Sequence, residues 1–165
     1  MGRRAETSEY LAECIADALL QLMSETPIDK IKIQDITDLA KVGRVTYFRY
    51  FNSKEDVLLF KIFLLLDRWS IDHSFPQNGN LREEALWFFS FCHSNQKIFD
   101  VLVQQDQFNV ILDMVKTVSM NTGTEIIKST YLRTYSVYGI TGILICWFRN
   151  KCKETPEELA DICAR

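Results

Sequence analysis

Apolar residues recur at helical spacing along almost the whole chain, and only 6 glycines and 3 prolines interrupt them in 165 residues. An assembly of short strands needs a turn signal about every 8–12 residues, so the chain is predicted to be all-α. Leu11, Cys14, Ile15, Ala18, Leu19 and Leu22 follow the i, i+3, i+4, i+7 pattern of a helix with one buried face, while Glu9, Glu13, Asp17 and Gln21 occupy the other. Pro27 disfavours helical geometry in the residue before it, which ends this helix near Ser24 to Thr26. A short second helix carries Ile33, Ile36, Leu39 and Ala40, with Asp35 near the positive end of its dipole. Gly43 is acceptable as the N-cap of a third short helix over 45–51. Ser53 and Asp56 then make the S-x-x-D pattern that opens a long fourth helix.

Ser74 to Asn80 is the clearest loop. Beyond it, helices are predicted over roughly 81–94, 96–104, 106–120, 125–149 and 156–164, with a break at Asn121 to Thr124, giving about nine in all. Thr155, Pro156 and Glu158 supply a cap, an N1 proline and a capping-box acid for the last one. The longest nearly apolar runs, Val57 to Leu66 broken by Lys61 and Val137 to Phe148, fall short of the ~18 residues of a membrane span. No membrane partner is therefore expected. The first residues show no signal-peptide core, so a cytoplasmic protein is expected. Cys14, Cys92, Cys146, Cys152 and Cys163 lack paired spacing and read as reduced thiols. Cys92 and His93, adjacent on a helix, diverge by about 100°. No metal site, cofactor motif or catalytic cluster is expected, and so no enzyme.

Residues 33–51 make two short helices joined by a tight turn and packed on an amphipathic first helix, the spacing of a helix-turn-helix. Charge sharpens that reading. Lys41, Arg44, Arg49 and Lys54 place four cations and no acid in the 41–54 segment; with a net charge of −3 for the whole chain, every other residue together carries −7. Overall acidity argues against a broadly basic nucleic-acid binder, so attraction to phosphate is confined to this segment. Thr46, Tyr47 and Tyr50 among the cations suit phosphate contact and hydrogen bonding at groove edges. Charge alone leaves open a solvated basic surface on an unrelated three-helix packing.

The wording of the segment narrows the choice. Ile33-Gln-Asp-Ile36, Ala40-Lys-Val42 and Thr46-Tyr-Phe-Arg-Tyr-Phe51-Asn-Ser-Lys54-Glu-Asp56 closely resemble the TetR family signature, over Leu11 to roughly Leu59. The resemblance implies an N-terminal three-helix DNA-binding domain over 1–56 and a helical effector-binding and dimerisation domain over 57–165. Position by position, it implies DNA contacts from Gln34, Gly43, Arg44, Val45, Thr46, Tyr47, Tyr50 and Lys54. Arg44 is the best base reader, because a guanidinium bonds both acceptors of guanine, a geometry worth about 1–3 kcal/mol of discrimination. Two departures stand out. A hydroxyl is common in the family at Gly43, and a phosphate-contacting Tyr is common at Phe48, with Tyr47 here one residue earlier. Either Tyr47 takes that contact from another direction or the contact is absent.

Residues 60–165 hold 15 of the 20 aromatic side chains. Most are core, yet Trp69, Trp87, Phe91, Phe108, Tyr131 and Tyr135 are candidate walls of a small-molecule pocket with a few polar handles. The stretch from Tyr131 to Phe148 is apolar around most of its circumference, more than one intrachain face buries. Tyr138, Gly139, Gly142, Ile143 and Cys146, with Leu159 from the last helix, are candidate dimer contacts. The expected function is a homodimeric, ligand-responsive repressor on a near-palindromic double-stranded DNA operator, with half-sites about 34–36 Å apart and a small-molecule effector. The rival reading is a TetR-like coactivator or adaptor that works through a protein partner with weakened DNA binding.

Overall fold

Local chemistry sets each helix end in the computed structural model, which describes residues 2–76, 81–121 and 130–164. The helices are α1 (Gly2–Met23), α2 (Ile33–Leu39), α3 (Arg44–Tyr50), α4 (Lys54–Asp72), α5 (Leu81–Ser94), α6 (Gln96–Gln104), α7 (Phe108–Asn121), α8 (Thr130–Arg149) and α9 (Pro156–Cys163), with a 3-10 turn at Ile28–Lys30. The described residues contain no strand. Before α4, the Asp56 backbone N–H donates to Ser53 Oγ and the Ser53 N–H to the Asp56 carboxylate, at 3.0 and 3.1 Å. Thr155 and Glu158 make the same reciprocal pair at the start of α9. Gly43 is the extended N-cap of α3.

Two boundaries move. The first helix starts well before Leu11, because apolar spacing reports only the part of a helix that buries a face. The helix expected from 106 begins at Phe108, because Asp106 sits at φ 54 in the turn after α6. Residues 77–80 of the expected loop, 122–124 of the expected break and 125–129 of the expected eighth helix lie outside the described residues.

The chain divides into two compact units, Met1–Leu64 and Leu65–Arg165, with the division inside α4. In the first, α1 packs on α2 and α3, and α2 on α3. Ile15, Leu19, Ile36, Tyr47, Val57, Leu58 and Ile62 are fully buried. The opening turns of α4 belong here through specific ties. Phe60 meets Phe51 edge-on at 5.5 Å, and the Lys61 ammonium lies 2.8 Å from both Glu13 and Asp17 on α1. Burial alone would lower the pKa of Lys61, but its bonds to Asp17 and Glu13 reverse that and raise it. The cation that breaks the apolar run is thus a strut between helices.

In the second unit α5 packs along α9, α7 along α8, and α6 against α7 and α8. Its centre is aromatic: Phe89, Phe91, Phe99, Trp147 and Phe148 are buried, and the Trp147 indole N–H donates to the Glu154 carbonyl at 2.9 Å. None of the described helices is long and apolar enough to cross a membrane.

Candidate functional site

At about 100° per residue, Arg44, Val45, Phe48 and Arg49 share an arc of about 140° on α3. All four are exposed, and Val45 and Phe48 are large apolar groups 76% and 54% open to solvent. Lys41, exposed in the turn before α3 at φ 55, extends the basic rim. Guanidinium groups flanking apolar side chains form a surface that can hold phosphate and meet base edges at once.

The other expected DNA contacts are distributed unequally. Thr46, half-buried, lies beside the exposed arc, whereas Tyr50, also half-buried, is on the opposite side of α3, where its hydroxyl accepts from Ser8 Oγ at 3.1 Å and ties α3 to α1. Gln34 is exposed on α2, its amide donating to Asp38 at 2.6 Å. Lys54 is half-buried and its ammonium donates to the Ile28 and Ile31 carbonyls, the second at 3.0 Å. Two of its three donors therefore hold the turn before α2 against the start of α4.

Tyr47 is the clear correction. It points inward, fully buried against Phe48 at 5.3 Å and Phe51 at 6.0 Å, so it presents nothing to a phosphate. Its hydroxyl finds no hydrogen-bond partner among the described residues. Burial, then the nearby Asp56 and Glu55 carboxylates, push its pKa up to about 12. The inverted aromatic order thus places a phenol in the core and a plain ring, Phe48, on the outer face. Phe48 and Arg49 belong to the candidate contact set, and their i, i+4 spacing from Arg44 and Val45 is the signal that finds them.

Among the described residues, none of the aromatic side chains expected to line a pocket lines the cavity described below. Phe91 is fully buried against Phe99 at 6.0 Å, Trp69 stacks on the His73 ring at 3.5 Å, and Trp87 donates to the His73 carbonyl at 2.7 Å. Phe108 lies 5.0 Å beneath the Arg149 guanidinium. Tyr131 and Tyr135 are 87% and 78% exposed. A cavity of about 80 Å³ lies elsewhere in this unit, between α5, α7, α8 and α9, with Phe75, Phe88, Phe89, Val115, Ile140 and Glu84 among its walls. Glu84 gave the sequence signal. It occupies a position on the apolar stripe that Leu81, Ala85, Phe88, Phe89 and Cys92 otherwise fill.

On α8, Tyr131, Tyr135, Tyr138, Gly139, Gly142 and Cys146 are exposed, and helical geometry sets them on one arc of about 100°. Ile143 is half-buried beside it. A Cβ added at Gly139 or Gly142 meets nothing within 4 Å, so nothing in the described chain demands glycine there. Leu159 is a second correction: it is 4% exposed on α9, which packs along α5, and is spent inside the chain.

Comparison with known proteins adds family matches to both parts of the chain and likeness of fold to solved structures. Residues 15–59 match the family described as "Bacterial regulatory proteins, tetR family", and residues 81–165 match "Transcriptional regulator C-terminal region", a TetR C-terminal family. No curated protein sequence matches significantly. Among solved structures, the fatty acid degradation regulator FadR from Bacillus halodurans has a similar fold, with a TM-score of 0.56 and 18% identity over 92% of this chain and 95% of that one.

Proposed function

Since the chain belongs to the TetR family and is a helix-turn-helix DNA-binding transcriptional regulator, we propose that it acts as a homodimeric repressor released from a near-palindromic operator by a small ligand. The observation that carries this reading is the outward arc of α3, where Arg44 and Arg49 flank Val45 and Phe48. An α-helix fits the major groove, where Arg44 pairs with guanine and Lys41 and Arg49 meet phosphate. Val45 and Phe48 offer apolar contact to thymine methyl groups. Gln34 and Thr46 add polar contacts at the edge, Tyr50 holds α3 on α1, and Lys54 fixes the turn that presents them.

One short helix reads few base pairs, so a two-fold pair reading two half-sites is the economical arrangement. The α8 arc supports this, since its tyrosines and glycines between Tyr131 and Cys146 carry no charge and suit a second copy, while Arg149, in line with them at the helix end, lies over Phe108 and 3.6 Å from Asp106. An effector that binds the DNA-free arrangement more tightly shifts the equilibrium, and a coupling of about 1–3 kcal/mol is the usual scale. Since α4 starts in one unit and ends in the other, it is the covalent path for that shift.

Selection from random duplexes with the purified full chain tests the reading. It predicts an enriched inverted repeat, bound with an affinity that falls steeply with salt. Recovery of no motif, together with stoichiometric binding to a protein, favours the adaptor that the lost phenol at position 48 makes its best rival.

A further inference from the structure

The cavity between α5, α7, α8 and α9 is apolar over most of its wall, where Phe75, Phe88, Phe89, Val115 and Ile140 face one carboxylate, that of Glu84. Phe88, Phe89 and Val115 are buried, whereas Glu84 is half-buried, so the carboxylate borders an apolar space it cannot satisfy itself. It has no hydrogen bond or ion pair among the described residues, and burial raises its pKa. Glu84 also lies in the first turn of α5, where the helix dipole favours a negative charge. A half-buried acid on an otherwise apolar stripe has lost part of its hydration, which a cationic group of a ligand can replace.

We propose that this cavity is the effector site and takes a compact apolar amine, a small ring or short chain bearing one cationic nitrogen, with its apolar part among Phe75, Phe88 and Phe89 and its ammonium on Glu84. Three properties fix that class. At about 80 Å³ the space is below the ~300–1,000 Å³ of drug-sized pockets, which selects a compact ligand. The ring-lined wall favours an aromatic or aliphatic body over a sugar or nucleotide. A carboxylate with no other partner attracts a cation and repels an anion, and in a partly desolvated setting such a charge-assisted bond outweighs its exposed counterpart.

The identification of this space as the effector site rests on the ligand-released regulator proposed above; the amine preference rests on the cavity alone. The two are tested by separate readouts. Calorimetric titration of the full chain with benzylamine, benzyl alcohol and benzoate compares one ring carrying positive, zero and negative charge. Benzylamine is expected to bind about tenfold to a hundredfold more tightly than benzyl alcohol, with benzoate weakest. Glu84→Gln keeps the shape and is expected to level the three affinities, and Val118→Trp, which enlarges a further wall residue on α7 to fill the cavity, is expected to abolish all three. Equal or tighter binding of benzoate, a benzylamine preference that survives Glu84→Gln, or no binding of any probe at millimolar concentration overturns the amine preference. If benzylamine binds with the expected Glu84 dependence but leaves affinity for the selected duplex unchanged, the ligand class stands and the effector reading falls.

Discussion

The outer arcs of α3 and α8 both hold large apolar groups in water, and they differ in what lies between those groups. On α3, Val45 and Phe48 are interleaved with Arg44 and Arg49; on α8, Tyr131, Tyr135 and Tyr138 are interleaved with the uncharged Gly139, Gly142 and Cys146, and the cation in line with them, Arg149, sits at the helix end over Phe108 and beside Asp106. A polyanion with methyl groups in its groove needs the first composition, because fixed cations release its counterions while apolar side chains touch its bases. A second protein surface needs the second, because charge is depleted at the centre of protein interfaces and aromatic residues are enriched. Exposure alone therefore does not say what covers a face. The charge pattern between the exposed groups does.

The largest expected effect breaks the α8 half of that contrast. Gly142→Glu is tolerated by the monomer, since the new Cβ meets no neighbour, but it brings two carboxylates into one isologous patch. Like charges facing each other across an interface cost several kcal/mol, so the dimer dissociation constant should rise by about a hundredfold or more in sedimentation equilibrium. Unchanged association would remove the α8 arc from the interface. On α3, Arg44→Ala should cost about 1–3 kcal/mol on the selected duplex and relax preference at one position of each half-site. Equal affinity in a gel-shift titration would show that Arg44 does not read a base.

The backbone plan of this molecule was legible in the sequence because its signals are local. The capping pairs at Ser53 with Asp56 and Thr155 with Glu158, the Gly43 N-cap and the α1 stripe each depend on residues a turn or two apart. What the sequence left open depends on partners far along the chain. Tyr131 and Tyr135 are spaced as a pocket wall would be, yet whether they face a cavity or solvent is set by which side of α8 meets α7. Leu159 looks like any apolar residue near a chain end until α9 is seen against α5. Lys54 carries a charge that suits phosphate, but the carbonyls left by the 3-10 turn at Ile28–Lys30 take up its donors first. The neighbours Tyr47 and Phe48 differ only in a hydroxyl, and helix phase alone decides which ring faces inward.

That pair gives a smaller and sharper test. Tyr47 buries a hydroxyl with no partner among the described residues, so Tyr47→Phe removes an unsatisfied polar group without opening a cavity, and should stabilise the chain by about 1–3 kcal/mol in urea denaturation. DNA affinity should not change, because the ring never reaches the outer arc. The alkaline limb provides a second readout. The folded phenol is pushed up to about 12 from 10.0, so folding stability is unaffected below the unfolded value and falls between these pH values, as the unfolded chain ionises first. Tyr47→Phe should lose that fall. A destabilised variant would mean that the hydroxyl has a partner after all.

The smallest effect probes the apolar half of the α3 arc. If Val45 and Phe48 touch thymine methyl groups, replacing a contacted thymine by uracil deletes one methyl and leaves every hydrogen-bonding edge and phosphate in place. Burial of one such carbon is worth about 0.8 kcal/mol, so each effective replacement should weaken binding by about fourfold. The slope of affinity against salt should stay the same, since no phosphate contact is lost. Phe48→Ala or Val45→Ala should make the matching uracil replacement silent, because the methyl then has nothing to touch. Phe48→Tyr should instead keep the methyl effect and, if its hydroxyl reaches phosphate, add affinity. Uracil scanning that changes nothing at any thymine would separate the exposed apolar pair from base reading, and with it the contrast between a DNA-facing arc on α3 and a protein-facing arc on α8.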